Sequence, residues 1–191
     1  MSKLKFLSAL IIFGMVAACS SSKDPLVTAD TLNKIENLAN ERNFVVEFNT
    51  AYPQNTAASQ QVLNSFLIQN GNSAGRIDIA GDGAKLTVDG ETSTADLPFF
   101  GERRVGGSYG GTENVGIEFY QATMKDYKVL RQGEKVTVTY GVSNSENDYF
   151  DVRMDIYSKY NVRALIISTK KTNMQYDGSF RAVLDTASDE N

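Results

Sequence analysis

The chain reads as mainly β: a single antiparallel β-sandwich or barrel-like meander of about nine or ten strands, with one N-terminal amphipathic helix. Three observations carry that expectation. The run "YFDVRMDIY" sorts into two faces, Phe150, Val152, Met154 and Ile156 against Asp151, Arg153 and Asp155, which is the period of two expected for a strand buried on one side. Asp-Gly pairs at 82–83, 89–90 and 177–178 supply the positive φ that tight turns and bulges demand. The strands follow one another too closely for helical crossovers, so the sheet must be antiparallel.

The elements follow in order. Residues 20–29 are polar, contain Pro25 and lack periodicity, as a tether would. Asp30 is a good N-cap, and Leu32, Ile35 and Leu38, with Ala39 beside them, recur at helical spacing over about 31–42. The narrow stripe implies packing on a sheet. From Phe44 the period falls to two, with Phe44, Val46 and Phe48 opposite Glu47 and Asn49. Residues 53–74 fit a short helical turn as well as a strand. Ile77 and Ile79, Leu86 and Val88, Val115 to Phe119, Val136 to Val142, "VRALIIS" after a turn near 159–161, and a last strand or hairpin around 174–184 complete the sheet. Asp177-Gly178 marks a turn or bulge within that final element.

The first residues point to an address rather than to structure. Lys3 and Lys5 precede an apolar stretch from Phe6 to Val16, and Ala17-Ala18-Cys19 closes it. That stretch is too short to span a hydrocarbon core, which takes about 20 helical residues, and the pattern matches a bacterial lipoprotein signal of residues 1–18. Likeness to bacterial lipoproteins implies a thioether-linked diacylglycerol and an acyl chain such as palmitate on Cys19, together enough for stable anchoring. Ser20 after the cysteine carries no inner-membrane retention signal, so the expected place is the outer membrane, on its periplasmic face or at the surface.

Composition excludes several functions. The 191-residue chain carries 19 basic and 23 acidic side chains. Loss of the leader, with Lys3 and Lys5 and no acid, makes the remainder more acidic, at about −6. Such a balance argues against a nucleic-acid partner, whose affinity rests on neutralising phosphates. There is no histidine and a single cysteine, which removes His-based nucleophilic catalysis and the commonest transition-metal ligand. With Cys19 lipidated, no disulfide or thiol nucleophile remains. No cofactor or metal is expected: "DIAGDG", from Asp78, lacks the ligand spacing of a Ca²⁺ loop and reads as a turn.

"GRIDIAGDGAKLTVDG", "LPFFGERRVGGSYG", "VGIEFYQATMKDYKV" and "TNMQYDG" together resemble domain-of-unknown-function family 4251, found in small envelope lipoproteins of Bacteroidota. The likeness covers about residues 40–182 within a single β domain of 30–191. Where that family usually has an Arg and an Ile before a Tyr-x-Gly, this chain has Lys171-Thr172-Asn173-Met174-Gln175-Tyr176-Asp177-Gly178. The resemblance implies an envelope location and a β fold, and no particular chemistry.

Candidate chemistry is sparse. The glycines of "GGSYGG", 106–111, lack a following Lys-Ser/Thr and precede a strand, so no helix N-terminus faces a phosphate. Asp151 and Asp155 share a strand face, but four residues at about 3.3 Å each set them roughly 13 Å apart, beyond the roughly 5 to 9.5 Å of glycosidase pairs. No Ser-x-x-Lys stands against a recognisable partner. Nine tyrosines and ten phenylalanines suit an aromatic β core, and equally a carbohydrate-stacking surface.

The stretch "LPFFGERRVGGSYGG", 97–111, remains the most distinctive. Pro98 should end a strand. Leu97 and one of Phe99 or Phe100 should pack down, with the other near the surface, because consecutive extended residues face opposite ways. Gly101 allows a bend, and 102–111 should form an exposed loop. Phe99, Phe100, Arg103, Arg104 and Tyr109 are the candidate binding residues, since Arg and aromatics concentrate binding energy. The leading functional expectation is a lipid-anchored, non-enzymatic domain that binds an envelope protein or glycan. A carboxylate-dependent hydrolase of envelope glycan and a lipocalin-like carrier of an apolar ligand stand behind it.

Overall fold

The computed structural model describes residues 25–67, 72–104 and 116–183. Helix α1 (Pro25–Glu41) leads into strand β1 (Asn43–Pro53), and a second helix, α2 (Ala57–Leu67), follows. Nine strands come after it: β2 (Ile77–Asp78), β3 (Lys85–Asp89), β4 (Thr92–Leu97), β5 (Ile117–Thr123), β6 (Lys125–Gln132), β7 (Lys135–Ser143), β8 (Tyr149–Tyr157), β9 (Asn161–Ser168) and β10 (Met174–Ala182). They form one antiparallel sheet in the order β5-β4-β3-β1-β10-β9-β8-β7-β6, with β2 paired to β1. Of the two architectures left open by the sequence, the molecule takes the barrel-like one.

The barrel nearly closes because its two end strands are one bent run of chain. Only Met124 separates β5 from β6. The first half pairs with β4 and the second with β7, and Asn144 after β7 donates its side-chain amide to the Glu118 carbonyl at 3.3 Å. Each half carries a register irregularity, and Gln121 (φ 45°) and Asp126 (φ 54°) are left-handed there. Such bulges sharpen the local twist and let a strand change partners.

Helix α1 packs against β1, β6 and β7. Leu32, Ile35 and Ala39 are buried as their spacing predicts, and Leu38 packs beside them. The helix begins at Pro25, so residues 25–29 are helical rather than tether; proline suits a first helical turn because its missing N–H would go unpaired there anyway. The Tyr127 hydroxyl donates to the Ala39 carbonyl at 2.6 Å, and Arg131 bonds Asn33 and reaches Glu36. The ambiguous 53–74 region supplies α2.

The interior is filled with side chains. Phe44, Leu86, Ile117, Val138, Phe150, Met154, Ile166, Met174 and Tyr176 are all completely enclosed. Ring contacts at 4.9 Å (Phe44–Phe180) and 5.4 Å (Phe48–Tyr176) join the neighbouring strands β1 and β10, and one at 5.6 Å (Phe119–Phe150) joins β5 to β8 across the interior. The 177–178 pair marks a bulge: Phe48 faces Gly178 and Thr50 faces Asp177, leaving Asn49 unmatched. A Cβ on Gly178 would lie 2.2 Å from the Glu47 carbonyl oxygen, so only glycine allows this approach. "DIAGDG" is a turn, with the Asp82 N–H bonded to Ile79 O at 3.2 Å and positive φ at Gly81 and Gly83.

Candidate functional site

The Pro98 stretch lies on one rim of the barrel, where β4 ends and β8, β9 and β10 meet the connections between them. Leu97 is completely buried, and Pro98 stops the ladder after it. Phe99 and Phe100 are both half-buried and both pack on the core. The expectation that one of them stays near the surface is corrected here. Residues 98–100 are not a strand, so the alternation of extended chain does not apply. Their backbone is tied down instead: Tyr176, reaching out of the core, donates to Pro98 O at 2.8 Å, and Asn55 donates to Phe100 O at 2.9 Å. Gly101 is needed for closeness, since a Cβ there would sit 2.2 Å from Thr172 Oγ1.

The next three residues also depart from expectation. Residues 102–104 do not open an exposed loop; they lie along 170–172 as a short antiparallel pairing. Thr172 N–H donates to Glu102 O at 2.8 Å, Glu102 N–H to Thr172 Oγ1 at 2.9 Å, and Arg104 N–H to Lys170 O at 2.7 Å, with a bridge between Arg103 and Lys171. The Glu102 carboxylate accepts from Thr56, at 2.7 Å from its hydroxyl and 3.1 Å from its N–H. Hydrogen bonds from Ser59 and Thr56 hold its carboxyl below the usual value of 4.5. The backbone of 99–104 is therefore fixed on three sides, while the side chains of Arg103 and Arg104 face solvent.

Beneath it lies a polar cluster that no local motif announces. Asp148, 1% exposed, accepts from the Ser168 hydroxyl at 2.8 and 2.9 Å, the Thr169 hydroxyl at 2.9 Å and the Lys170 N–H at 3.2 Å. The Lys171 ammonium is 3.9 Å from the same carboxylate and donates to Gly116 O at 2.5 Å, between the rings of Phe99 and Phe150 at 5.7 and 5.8 Å. Burial pulls the Lys171 amine below its ordinary 10.5, against the opposing pull of Asp148. Lys171 thus holds both flanks of 105–115: its backbone pairs with Arg103 and its ammonium grips Gly116.

With this rim in place, one comparison decides the family. Residues 27–180 match the model described as "Domain of unknown function (DUF4251)". The chain belongs to that family. The match takes in α1 as well as the strands, so the DUF4251 region starts earlier than the resemblance over 40–182 implies. No curated protein and no solved structure matches the chain.

Within the DUF4251 domain the candidate binding residues fall into two groups. Phe99 and Phe100 serve as packing, and Arg103 and Arg104 project beside them. Tyr109 and the glycines of 106–111 lie outside the described residues, as does Cys19. Ser168 is enclosed at 3% exposure, with its hydroxyl donating to Asp148 and accepting the N–H groups of Lys170 and Lys171 at 3.0 and 2.9 Å. Asp155 is likewise engaged, with the Lys135 ammonium and the Thr137 hydroxyl each at 2.7 Å. What the arrangement can do is hold the backbone that carries two exposed arginines in a fixed place. Sequence reasoning missed Asp148, Lys171 and Thr172; the only available signal was Ser168, a polar residue at an inward position of an otherwise apolar alternation.

Proposed function

We propose that this DUF4251 domain is a lipid-anchored, non-enzymatic component of the bacterial cell envelope, bound to a membrane through Cys19, that captures an envelope protein or ligand at the rim. The observation that carries the reading is the fixed backbone of 99–104 with Arg103 and Arg104 outward. A pre-organised backbone lowers the ordering cost of binding, and arginine on an acidic protein supplies a charge contrast that selects its partner. The filled barrel supports recognition at the surface over carriage inside, since an apolar ligand would need the volume that Phe44, Phe150 and Met154 occupy. The hydrolase reading gains no support from the rim, where Ser168 and Asp148 are spent on each other.

Recovery of the lipidated protein from its own membrane, with identification of what accompanies it, tests the proposal. Arg103→Ala with Arg104→Ala should abolish that recovery and leave the unfolding midpoint nearly unchanged; undiminished recovery overturns the rim reading. Cys19→Ser should lose incorporation of a fatty-acid probe. Equal labelling of that variant overturns the anchor.

A further inference from the structure

A second feature lies on the outer wall of the barrel, away from the rim. The bulge in β1 and the start of β9 leave a groove of about 370 Å³, lined by Asn49, Tyr157, Asn161, Arg163, Asp177 and Gly178. Its construction follows from the register. Val162 and Gly178 are direct cross-strand partners, as are Arg163 and Asp177 one residue along and Asn161 and Ser179 on the other side. Val162 is buried and points inward, so the backbone of 162 and 178 forms a floor. Arg163 and Asp177 make one bank, Tyr157 and Asn161 stand on another, and the exposed Asn49 projects from the bulge.

The polar bank is charge-balanced. Arg163 grips Asp177 with two bonds, Nε to Oδ1 at 3.0 Å and a terminal nitrogen to Oδ2 at 3.1 Å, and the Tyr52 hydroxyl donates to Oδ2 at 3.1 Å. A carboxylate offers about four acceptor directions and a guanidinium five N–H groups. These contacts leave acceptor capacity on Oδ1 and several guanidinium N–H groups for a ligand. Donor and acceptor thus stand side by side with no net charge, as the adjacent hydroxyls of a sugar ring require. Tyr157 lines the groove and is 39% exposed, so its ring is available to stack on the apolar C–H face of a pyranose. Asn49 and Asn161 add amide groups that both donate and accept.

We propose that this groove is a binding site for an uncharged hexopyranose unit of an oligosaccharide, with Tyr157 as the stacking platform and Arg163 and Asp177 as the hydroxyl-binding pair. Neutrality distinguishes it from the rim, where Arg103 and Arg104 favour an acidic partner. The site is open and shallow, so single-unit affinity is weak and repeated units add to it.

The test uses the full-length chain in detergent, titrated with cellotetraose, maltotetraose and chitotetraose, with tetragalacturonate as the charged comparison, while backbone amide resonances are followed. At least one neutral tetrasaccharide should shift the amides of Val162, Arg163, Asp177 and Gly178. Tyr157→Ala should weaken that binding about tenfold or more, with an unchanged melting temperature, and Asp177→Asn should weaken it while keeping an acceptor for Tyr52. Arg103→Ala with Arg104→Ala should leave it unaltered, so failure at the rim and failure here are separately visible. Absence of shifts with all three neutral sugars, preference for the galacturonate, or full binding by Tyr157→Ala overturns the proposal.

Discussion

The wall built by β7, β8 and β9 and the rim built around Asp148 are both buried, yet they are held by different physics. In the wall, Val136, Val138, Val142, Phe150, Val152, Met154, Ile156, Ala164 and Ile166 point inward at every second position and belong to one apolar core. Each contributes by leaving water, at roughly 25 cal/mol per Å², and none depends on a particular partner. On the rim a single carboxylate receives three hydrogen-bond donors and faces the Lys171 ammonium, and its loss would take an acceptor from the Ser168 and Thr169 hydroxyls and the counter-charge from Lys171. The wall is redundant and the rim is not. An error in the wall costs a cavity, whereas an error on the rim leaves buried polar groups unpaired, which is the more expensive fault per atom.

The sharpest way to break that comparison is Asp148→Ala. Removing one partner of a buried ion pair costs about 3–5 kcal/mol, because the other charge is left uncompensated; here the hydroxyls of Ser168 and Thr169 lose an acceptor as well. Equilibrium urea unfolding measures it. A loss below about 1 kcal/mol, the net worth of one ordinary hydrogen bond, would mean the cluster is ornamental. Met154→Ala probes the wall. It lies completely buried between Val138 and Ala164 and should cost about 2–5 kcal/mol, the range for large-to-small core changes.

These two regions also explain what was legible in the sequence. Alternation over 149–157 is a local pattern, and every inward residue of β8 followed from it. The network at Asp148 joins residues 20 to 23 positions apart with Gly116 further off, and nothing in the neighbourhood of any one of them shows the others. Strand β6 was hidden for another reason. Its residues alternate only between half-buried and exposed, with Leu130 outward at 54% exposure and Tyr127 turned to α1. The bend joining it to β5 places Gln121 and Asp126 in left-handed conformations without glycine. Of the candidate site, the Pro98 break and the exposed arginines were readable. That 102–104 would pair with 170–172 was not, because the pairing depends on a contact between distant segments.

Lys171→Met separates charge from packing on the rim, with an effect smaller than the loss of Asp148 because the apolar stem is kept. The direction with pH follows from the lowered amine pKa. Between the folded-state value and the ordinary 10.5, the unfolded chain holds the proton and the folded chain does not. Stability contributed by this group therefore rises with pH across that window. The wild type should gain on the methionine variant as pH climbs from neutral toward 10.5, measured as the difference between their unfolding free energies. A difference that stays flat or falls would mean the ammonium is not desolvated.

The smallest expected effect lies on the outer surface of the wall, at Asp155. Read from alternation alone it belongs to the solvent face, where substitution should change stability by no more than about 0.5 kcal/mol. The structure adds partners to that face. Asp155 accepts from Lys135 and from Thr137, and the Thr137 residue is only 6% exposed, with Arg153 at 3.4 Å on the other side. Burial raises the Asp155 carboxyl, but these hydrogen bonds and charges outweigh it and hold it below its ordinary 3.8. Removing the acceptor leaves a nearly enclosed hydroxyl in want of one, so Asp155→Ala should cost about 1 kcal/mol, the value of a typical internal hydrogen bond. The part-exposed ion pair with Arg153 adds little to that. Because the folded-state pKa is depressed, this contribution is present above the ordinary value of 3.8 and disappears as pH falls through the folded one. Unfolding of the wild type and of Asp155→Ala should therefore converge in strong acid. Thr137→Val separates the two contributions, since it removes the hydroxyl while leaving Lys135 in place. If Asp155→Ala and Thr137→Val each prove neutral, the outer face is a solvated surface as its alternation suggests, and the polar residues of the wall carry no part of its stability.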